Sequence, residues 1–292
     1  MRSEREMLDL ILDTAREDDR IRAVILNGSR TSPSAPRDPF QDFDVVYLVT
    51  DVAPFRHNFD WIARFGELMI LQMPEDMQDP PPRGNDGFVY LMQFADGNRI
   101  DLGLFPVARA GDLERESQSV LLLDKDGLVE PFPPASDADY YPTPPTAKAF
   151  ADCCNEFWWV SPYVAKGLWR GEILYAKHFQ DRFVRDQLRK MINWYVGVET
   201  EFGATPGKFG KYLERYLAPE LWQLLLDTYS GAGYEETWQA LFAMGDLFRR
   251  LALHVAAHFG FDYPHGDDER VSAHLRHVYH LPPDAQEIYK TC

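Results

Sequence analysis

Asp42 and Asp44 flank Phe43 just ahead of the apolar run Val45 to Val49, and side chains two apart at the entrance of a strand point to one face. A third carboxylate, Asp101, stands between Ile100 and Leu102 in a second strand-like run, RIDLGLF. Like charges within roughly 4 to 6 Å raise each other's pKa and cost stability unless a cation shares the site. Three aspartates converging on one sheet face therefore imply a hard, oxygen-ligated divalent ion, Mg²⁺. Upstream, Gly28-Ser29-Arg30 follows the apolar run Ile21 to Asn27. A glycine there permits unusual backbone angles and close approach of a ligand, and neighbouring amides can point together as a small anion cradle. Ser29 adds a hydroxyl and Arg30 a rigid cationic fork. Phosphate is the anion that such a turn and a nearby Mg²⁺ would hold jointly. Taken alone, Gly-Ser is a plain turn and Asp-x-Asp a solvated strand end. The joint order carries the reading: strand, Gly-Ser, loop, Asp-x-Asp opening the next strand, and a third Asp on a later strand.

The elements that must position these groups are legible from periodicity. Ser3 with Glu6 forms a capping-box pattern, and Met7, Leu8, Ile11, Leu12 and Ala15 keep an apolar stripe, so the first element is a helix ending near Asp18 or Asp19. Residues 21 to 27 and 45 to 51 are β-branched strands. The segment PFRHNFDWIARFGELM opens with a proline and keeps helical spacing, which predicts a helix followed by a short strand over 68 to 72. GFVYLMQF and RIDLGLF, joined across ADGN, form a hairpin, and SVLLLD adds a further strand. The stretch EPFPPASDADYYPTPPT, rich in proline, marks a domain boundary. The two domains are expected at 1–138 and 139–292. Beyond the boundary, FVRDQLRKMINWYVGVETEF and ETWQALFAMGDLFRRLALHVAAHF repeat apolar residues three and four apart, so the C-terminal part is all-helical. The fold class expected is α+β: a small mixed sheet flanked by helices, then a helical domain.

With these motifs in place, the chain resembles the DNA polymerase β-like nucleotidyltransferase superfamily, whose signature is a Gly-Ser turn followed at this distance by Asp-x-Asp. Within it the chain is similar to the aminoglycoside 6-adenylyltransferases, which modify streptomycin. The similarity lies in MRSEREMLDLILDTAREDDRIRAV, GSR, PFQDFDVVYLVTD and DGNRIDLGLF, and in GKFGKYLERYL and ELWQLLLDTYS of the helical part. Family members often carry an acidic residue where Asn27 stands. The resemblance implies that Gly28 and Ser29 hold the β- and γ-phosphates of ATP with Arg30 close by. It also implies that Asp42 and Asp44 bind Mg²⁺, and that Asp101 completes the metal site or accepts the proton of the substrate hydroxyl. The implied reaction transfers AMP to the 6-hydroxyl of streptomycin and releases pyrophosphate. In-line displacement between two ions roughly 3.5 to 4 Å apart and a carboxylate base worth about 10² to 10⁴ in rate would suit it. Lys211, three residues after Lys208 in GKFGKYLERYL, is expected to reach triphosphate oxygens.

Composition narrows the partners. A net charge of −16 repels polyanions and attracts cations, so nucleic acid and anionic membrane are poor partners and a polycationic aminoglycoside a good one. The acidity serves solubility as well. No run approaches the roughly 18 apolar residues of a membrane span, and the N-terminus is charged, which predicts a cytoplasmic protein. Cys153, Cys154 and Cys292 have neither disulfide nor zinc spacing and read as incidental thiols. His254 with His258, and His274, His277 and His280, lack the Glu or Cys partners of a zinc motif. Trp158-Trp159 and Tyr140-Tyr141 read as core and interface residues, or as rings able to stack on adenine or cover a sugar. Glu67, Asp76, Asp79, Asp86, Asp152 and Glu156 are unranked candidates for pairing with guanidinium groups. The rival readings are the same fold acting on another aminoglycoside, a lincosamide or a protein, and a non-catalytic nucleotide-binding regulator.

Overall fold

A computed structural model describes residues 1–77, 79, 87–113 and 115–289. The chain forms two compact units, Met1–Asp139 and Tyr140–Cys292. In the first, helix α1 (Glu4–Glu17) starts at the capping box that Ser3 and Glu6 close on each other, and it lays Met7, Ile11 and Ala15 onto the sheet. The sheet has six strands, β1 (Ile21–Asn27), β2 (Phe43–Val49), β3 (Leu68–Gln72), β4 (Phe88–Phe94), β5 (Arg99–Pro106) and β6 (Ser119–Asp124), in the order β3-β4-β5-β2-β1-β6. Neighbours are antiparallel except β2 and β5, which are parallel and in register with Asp44 opposite Asp101. Tyr47, in the buried face of β2, donates its hydroxyl to the Ile11 carbonyl at 2.6 Å and so ties α1 to the central strand.

Two expectations are corrected. Strand β2 begins at Phe43 and ends at Val49, not at 45 and 51, so Asp44 is a ladder residue rather than a flanking one. The single helix expected after Pro54 is instead a 3₁₀ turn (Ala53–Phe55), a one-turn helix α2 (Phe59–Ile62) and a second 3₁₀ turn (Ala63–Phe65). The break falls at His57, whose φ of 56° leaves the right-handed region, and Asn58 then restarts the chain by capping Trp61 N–H at 3.0 Å. The apolar spacing is nonetheless obeyed: Phe55, Trp61, Ile62 and Phe65 are all buried in the core under the sheet.

The second unit packs helices α3 (Ala147–Trp169), α4 (Ile173–His178), α5 (Arg185–Glu199), α6 (Pro219–Asp227), α7 (Tyr234–Phe259) and α8 (His265–Tyr279) around one apolar core. Phe157 of α3 and Phe248 of α7 stack with centroids 3.8 Å apart. Trp158 is buried in that core whereas Trp159 is 65% exposed, because consecutive residues of a helix face different ways; Tyr140 and Tyr141 are also exposed. Cys153 and Cys154 are buried, and burial pushes the Cys153 thiol up to about 12, the range of an inert group; Cys292 lies outside the described residues. His254 pairs with Glu199 at 2.8 Å, and His274 meets Tyr289 at 2.7 Å. Among the described residues no helix is long and apolar enough to cross a membrane.

One buried ion pair joins α7 to α8. Arg249 grips both oxygens of Asp268 at 2.6 Å, while Tyr263 and Ser272 donate to the same carboxylate at 2.7 and 3.0 Å. Burial alone would raise the Asp268 pKa, but these donors outweigh it and hold the carboxyl below its ordinary value. Its stabilisation is therefore full above about pH 4, where the unfolded chain also ionises, and is lost as pH falls further. Asp268→Asn is expected to cost on the order of 2 kcal/mol in denaturant titrations at pH 7, with the gap from wild type narrowing below pH 4.

Candidate active site

Strands β2 and β5 bring the three sequence-identified aspartates together. Asp42, Asp44 and Asp101 each offer a carboxylate oxygen within 4.8 Å of the others, and among the described residues this is the only group of three acidic, His or Cys side chains so placed. Asp44 feels the crowding most. Burial, then the charges of Asp42 and Asp101, push its pKa up to about 7, against an opposing pull from Arg99. Three half-buried carboxylates offering hard oxygens fit Mg²⁺, whose charge would offset the crowding at Asp44.

Gly28 sits in the left-handed region at φ 75°, and a Cβ built on it would lie 2.1 Å from Asp44 Oδ2. The glycine is what lets the carboxylate pack against the turn. Its amide is not part of an anion cradle, since Gly28 N–H donates to the Gln118 carbonyl at 2.9 Å and extends the β1–β6 ladder. Ser29 follows in a 3₁₀ turn (Gly28–Arg30), with its carbonyl and hydroxyl held by the Gln41 amide at 3.1 and 3.4 Å.

Arg30 has partners within the first unit. Its guanidinium donates to the carbonyls of Asp42 (2.9 Å) and Gln41 (2.7 Å), meets Glu4 at 3.3 Å and lies 3.6 Å from the centroid of the Phe43 ring. With its donors committed and its side chain 7% exposed, it is a strut that fixes the backbone carrying Asp42. The Pro-rich loop between the two halves is tied down separately, by Ser32 and Gln118 donating to Asp137 at 2.8 and 2.6 Å.

Sequence reasoning passed over Arg99 and Gln41. Arg99 forms a bidentate pair with Asp101 at 2.7 and 2.6 Å and lies 3.9 Å from Asp42, so the carboxylates already have one organic counter-ion. The Arg-x-Asp spacing on one strand face was the available signal; nothing in the sequence marked Gln41. Asn27 accepts from the Ser119 hydroxyl at 2.8 Å. Lys211 is in the second unit, exposed, with its ammonium 4.9 Å from the Tyr212 ring and no ion pair among the described residues. Of the carboxylates considered for guanidinium pairing, Asp76 is held by His57 at 2.7 Å and Asp152 by Lys148 at 2.5 Å. Glu67 and Asp79 are exposed, Glu156 is half-buried, and Asp86 lies outside the described residues.

Two outcomes follow for the metal-free protein. The unfolded chain releases the Asp44 proton near pH 4 and the folded chain near 7, so folding takes up a proton in that window and stability falls as pH rises through it. Asp44→Asn is thus expected to raise the Tm without Mg²⁺ at pH 8, on the order of 5 °C, and to have no such benefit at pH 4. Mg²⁺ should raise the Tm of wild type and not of this variant. Gly28→Ala is expected to cost about 2 kcal/mol and to remove the Mg²⁺-dependent rise, because its methyl group displaces Asp44.

Comparison with known proteins shows the family. The profile of a family described as streptomycin adenylyltransferase matches residues 1–278. An aminoglycoside 6-adenylyltransferase of Bacillus subtilis (strain 168) is 41% identical over 96% of this chain and 99% of its own length. One of Campylobacter jejuni is 42% identical over 92% and 93%, and one of Staphylococcus aureus 36% identical over 90% and 94%. A crystal structure of an aminoglycoside 6-adenyltransferase from Bacillus subtilis aligns with 96% of this chain and 100% of that one, at 38% identity and a TM-score of 0.47. With a match spanning nearly its whole length, this chain belongs to the streptomycin adenylyltransferase family and is a nucleotidyltransferase.

Proposed function

We propose that the protein transfers AMP from ATP to a hydroxyl of streptomycin, the 6-hydroxyl, with Mg²⁺ as cofactor, so that pyrophosphate leaves and the antibiotic is inactivated. The observation that carries this reading is the trio Asp42, Asp44 and Asp101 packed against the Gly28-Ser29 turn, in a chain of this family. The acceptor oxygen forms a bond to the α-phosphorus as the bond to the bridging oxygen breaks; the electron pair leaves with pyrophosphate, and the hydroxyl proton passes to a carboxylate. Asp42 and Asp44 would hold Mg²⁺, which when bound neutralises phosphate charge and stabilises the entering and leaving oxygens.

The chain's own residues set the stage for that displacement. Gly28 admits the donor close to Asp44, and Ser29 offers a hydroxyl to the phosphates. Arg30 and Gln41 keep the turn and the Asp42 loop at fixed separation, so that the two halves meet the same phosphate chain. Arg99 orients Asp101 through two hydrogen bonds. Lys211 is assigned to the triphosphate. The excess of negative charge suits a polycationic acceptor. ATP as donor places the reaction in the cytoplasm.

The test is release of pyrophosphate by purified protein with ATP, Mg²⁺ and streptomycin. Asp44→Ala is expected to abolish release while keeping the circular dichroism of the wild type. Pyrophosphate produced only with another aminoglycoside, a lincosamide or a protein would replace the acceptor, and ATP binding without turnover on any of them would make the protein a regulator. Asp101→Asn separates the two roles open to that residue: as proton acceptor its loss leaves the Mg²⁺-dependent rise in Tm intact, and as metal ligand it removes that rise.

A further inference from the structure

After α8 the chain folds back on the second unit as a short tail, and it is tied there at both ends. At one end Trp169, the last residue of α3, donates its indole N–H to the carbonyls of Leu281 and Pro282 at 3.2 and 3.3 Å. At the other, His274 of α8 meets the Tyr289 hydroxyl at 2.7 Å, and His277 contacts the Ile288 carbonyl and stacks on the Tyr289 ring with centroids 4.7 Å apart. Between these ties the tail encloses, against α3 and α8, a cavity of about 370 Å³. A close-packed interior holds few voids larger than a water molecule, so a space of this size is no packing defect; it lies in the range of small-molecule sites.

The walls are largely apolar and aromatic, and they are fixed. Tyr163 and Trp169 supply rings from one helix; the first stacks on Phe179 with centroids 5.2 Å apart, and the second is oriented by its hydrogen bonds to the tail. Val278, buried in α8, forms the opposite side. The charges that line the cavity are Lys166, Arg170 and Glu287, an excess of one cation in a protein of net charge −16. Burial and the neighbouring His277 hold the His274 pKa below its ordinary value, so that imidazole adds no charge at neutral pH. Lys166 is held in place without being neutralised. Its ammonium lies 4.6 Å from the Tyr163 ring centroid and 5.6 Å from that of Tyr175, and among the described residues it has no carboxylate partner. Ring faces attract the charge but accept few of its three N–H donors, which leaves the ammonium able to take an anion.

We propose that this cavity is a binding site for a small organic anion with a flat apolar body, whose ring system lies between Tyr163, Trp169 and Val278 and whose single acidic group pairs with Lys166. Two cations offset by one carboxylate suit one acidic group rather than a triphosphate. A polycationic aminoglycoside would be repelled by Lys166 and Arg170. An occupant would also clamp the tail onto α3 and α8.

Fluorescence titration of the full chain tests this with a matched pair of probes, anilinonaphthalene sulfonate and its uncharged counterpart N-phenylnaphthylamine. The sulfonate is expected to bind the wild type saturably at a single site. Lys166→Met is expected to weaken the sulfonate roughly 5- to 50-fold, as loss of one charge-assisted hydrogen bond requires, while the uncharged probe stays within about twofold. Ala285→Trp and Val278→Phe, which fill the cavity from the tail and from α8, are each expected to block both probes while keeping the circular dichroism of the wild type. The proposal is overturned if the sulfonate does not saturate, if Lys166→Met binds it as wild type does or weakens both probes alike, or if either cavity-filling variant folds and binds both as before. Displacement of the sulfonate by ATP or by streptomycin would make the cavity part of the transfer site and likewise overturn it; failure of the transfer reaction itself leaves it standing.

Discussion

Electrostatic repulsion among Asp42, Asp44 and Asp101 is the constraint around which the first unit is arranged. A protein ordinarily avoids placing three carboxylates in partial burial, because each raises the cost of ionising the next. Here the arrangement follows from the single parallel pair of the sheet. Side by side and in register, β2 and β5 fix Asp44 beside Asp101 whatever the rest of the chain does. The cost persists in the folded protein, visible in an Asp44 carboxyl that titrates near neutrality. A cluster kept together at such a cost points to chemistry rather than to stability.

Much of the surrounding structure serves to keep that repulsion in place. Arg99 holds Asp101 from the next but one position on the same strand. Arg30, drawn inward over Phe43, clamps the carbonyls of Gln41 and Asp42, and Gln41 reaches back to Ser29. Gly28 leaves the space that Asp44 fills. The result is a turn and a loop cross-braced at the edge of the carboxylates by neutral and cationic donors, so that both halves stay rigid while the acids remain available.

The second unit solves its own problem in ordinary ways. Its helices close over a continuous apolar core, and two charges are buried beside it: Asp268, matched by Arg249, Tyr263 and Ser272, and Arg185, which donates to the hydroxyl and carbonyl of Thr228.

The sequence by itself determined the strands, the helical second half and the identity of the acidic trio, because these depend on local signals: period-two and period-3.6 patterns, a capping box, glycines at turns and aspartates at strand entrances. It misjudged the segment after Pro54, where apolar spacing was right but His57 and Asn58 broke the helix. Only the tertiary structure decided where the long side chains went. Arginine and glutamine reach several ångströms in many rotamers, so nothing local says that Arg30 turns to a carbonyl rather than to a phosphate, or that Arg99 meets Asp101. The shift of the Asp44 carboxyl likewise belongs to no residue alone: it arises from burial, from Asp42 two residues away and from Asp101, which comes alongside only once β2 and β5 are paired.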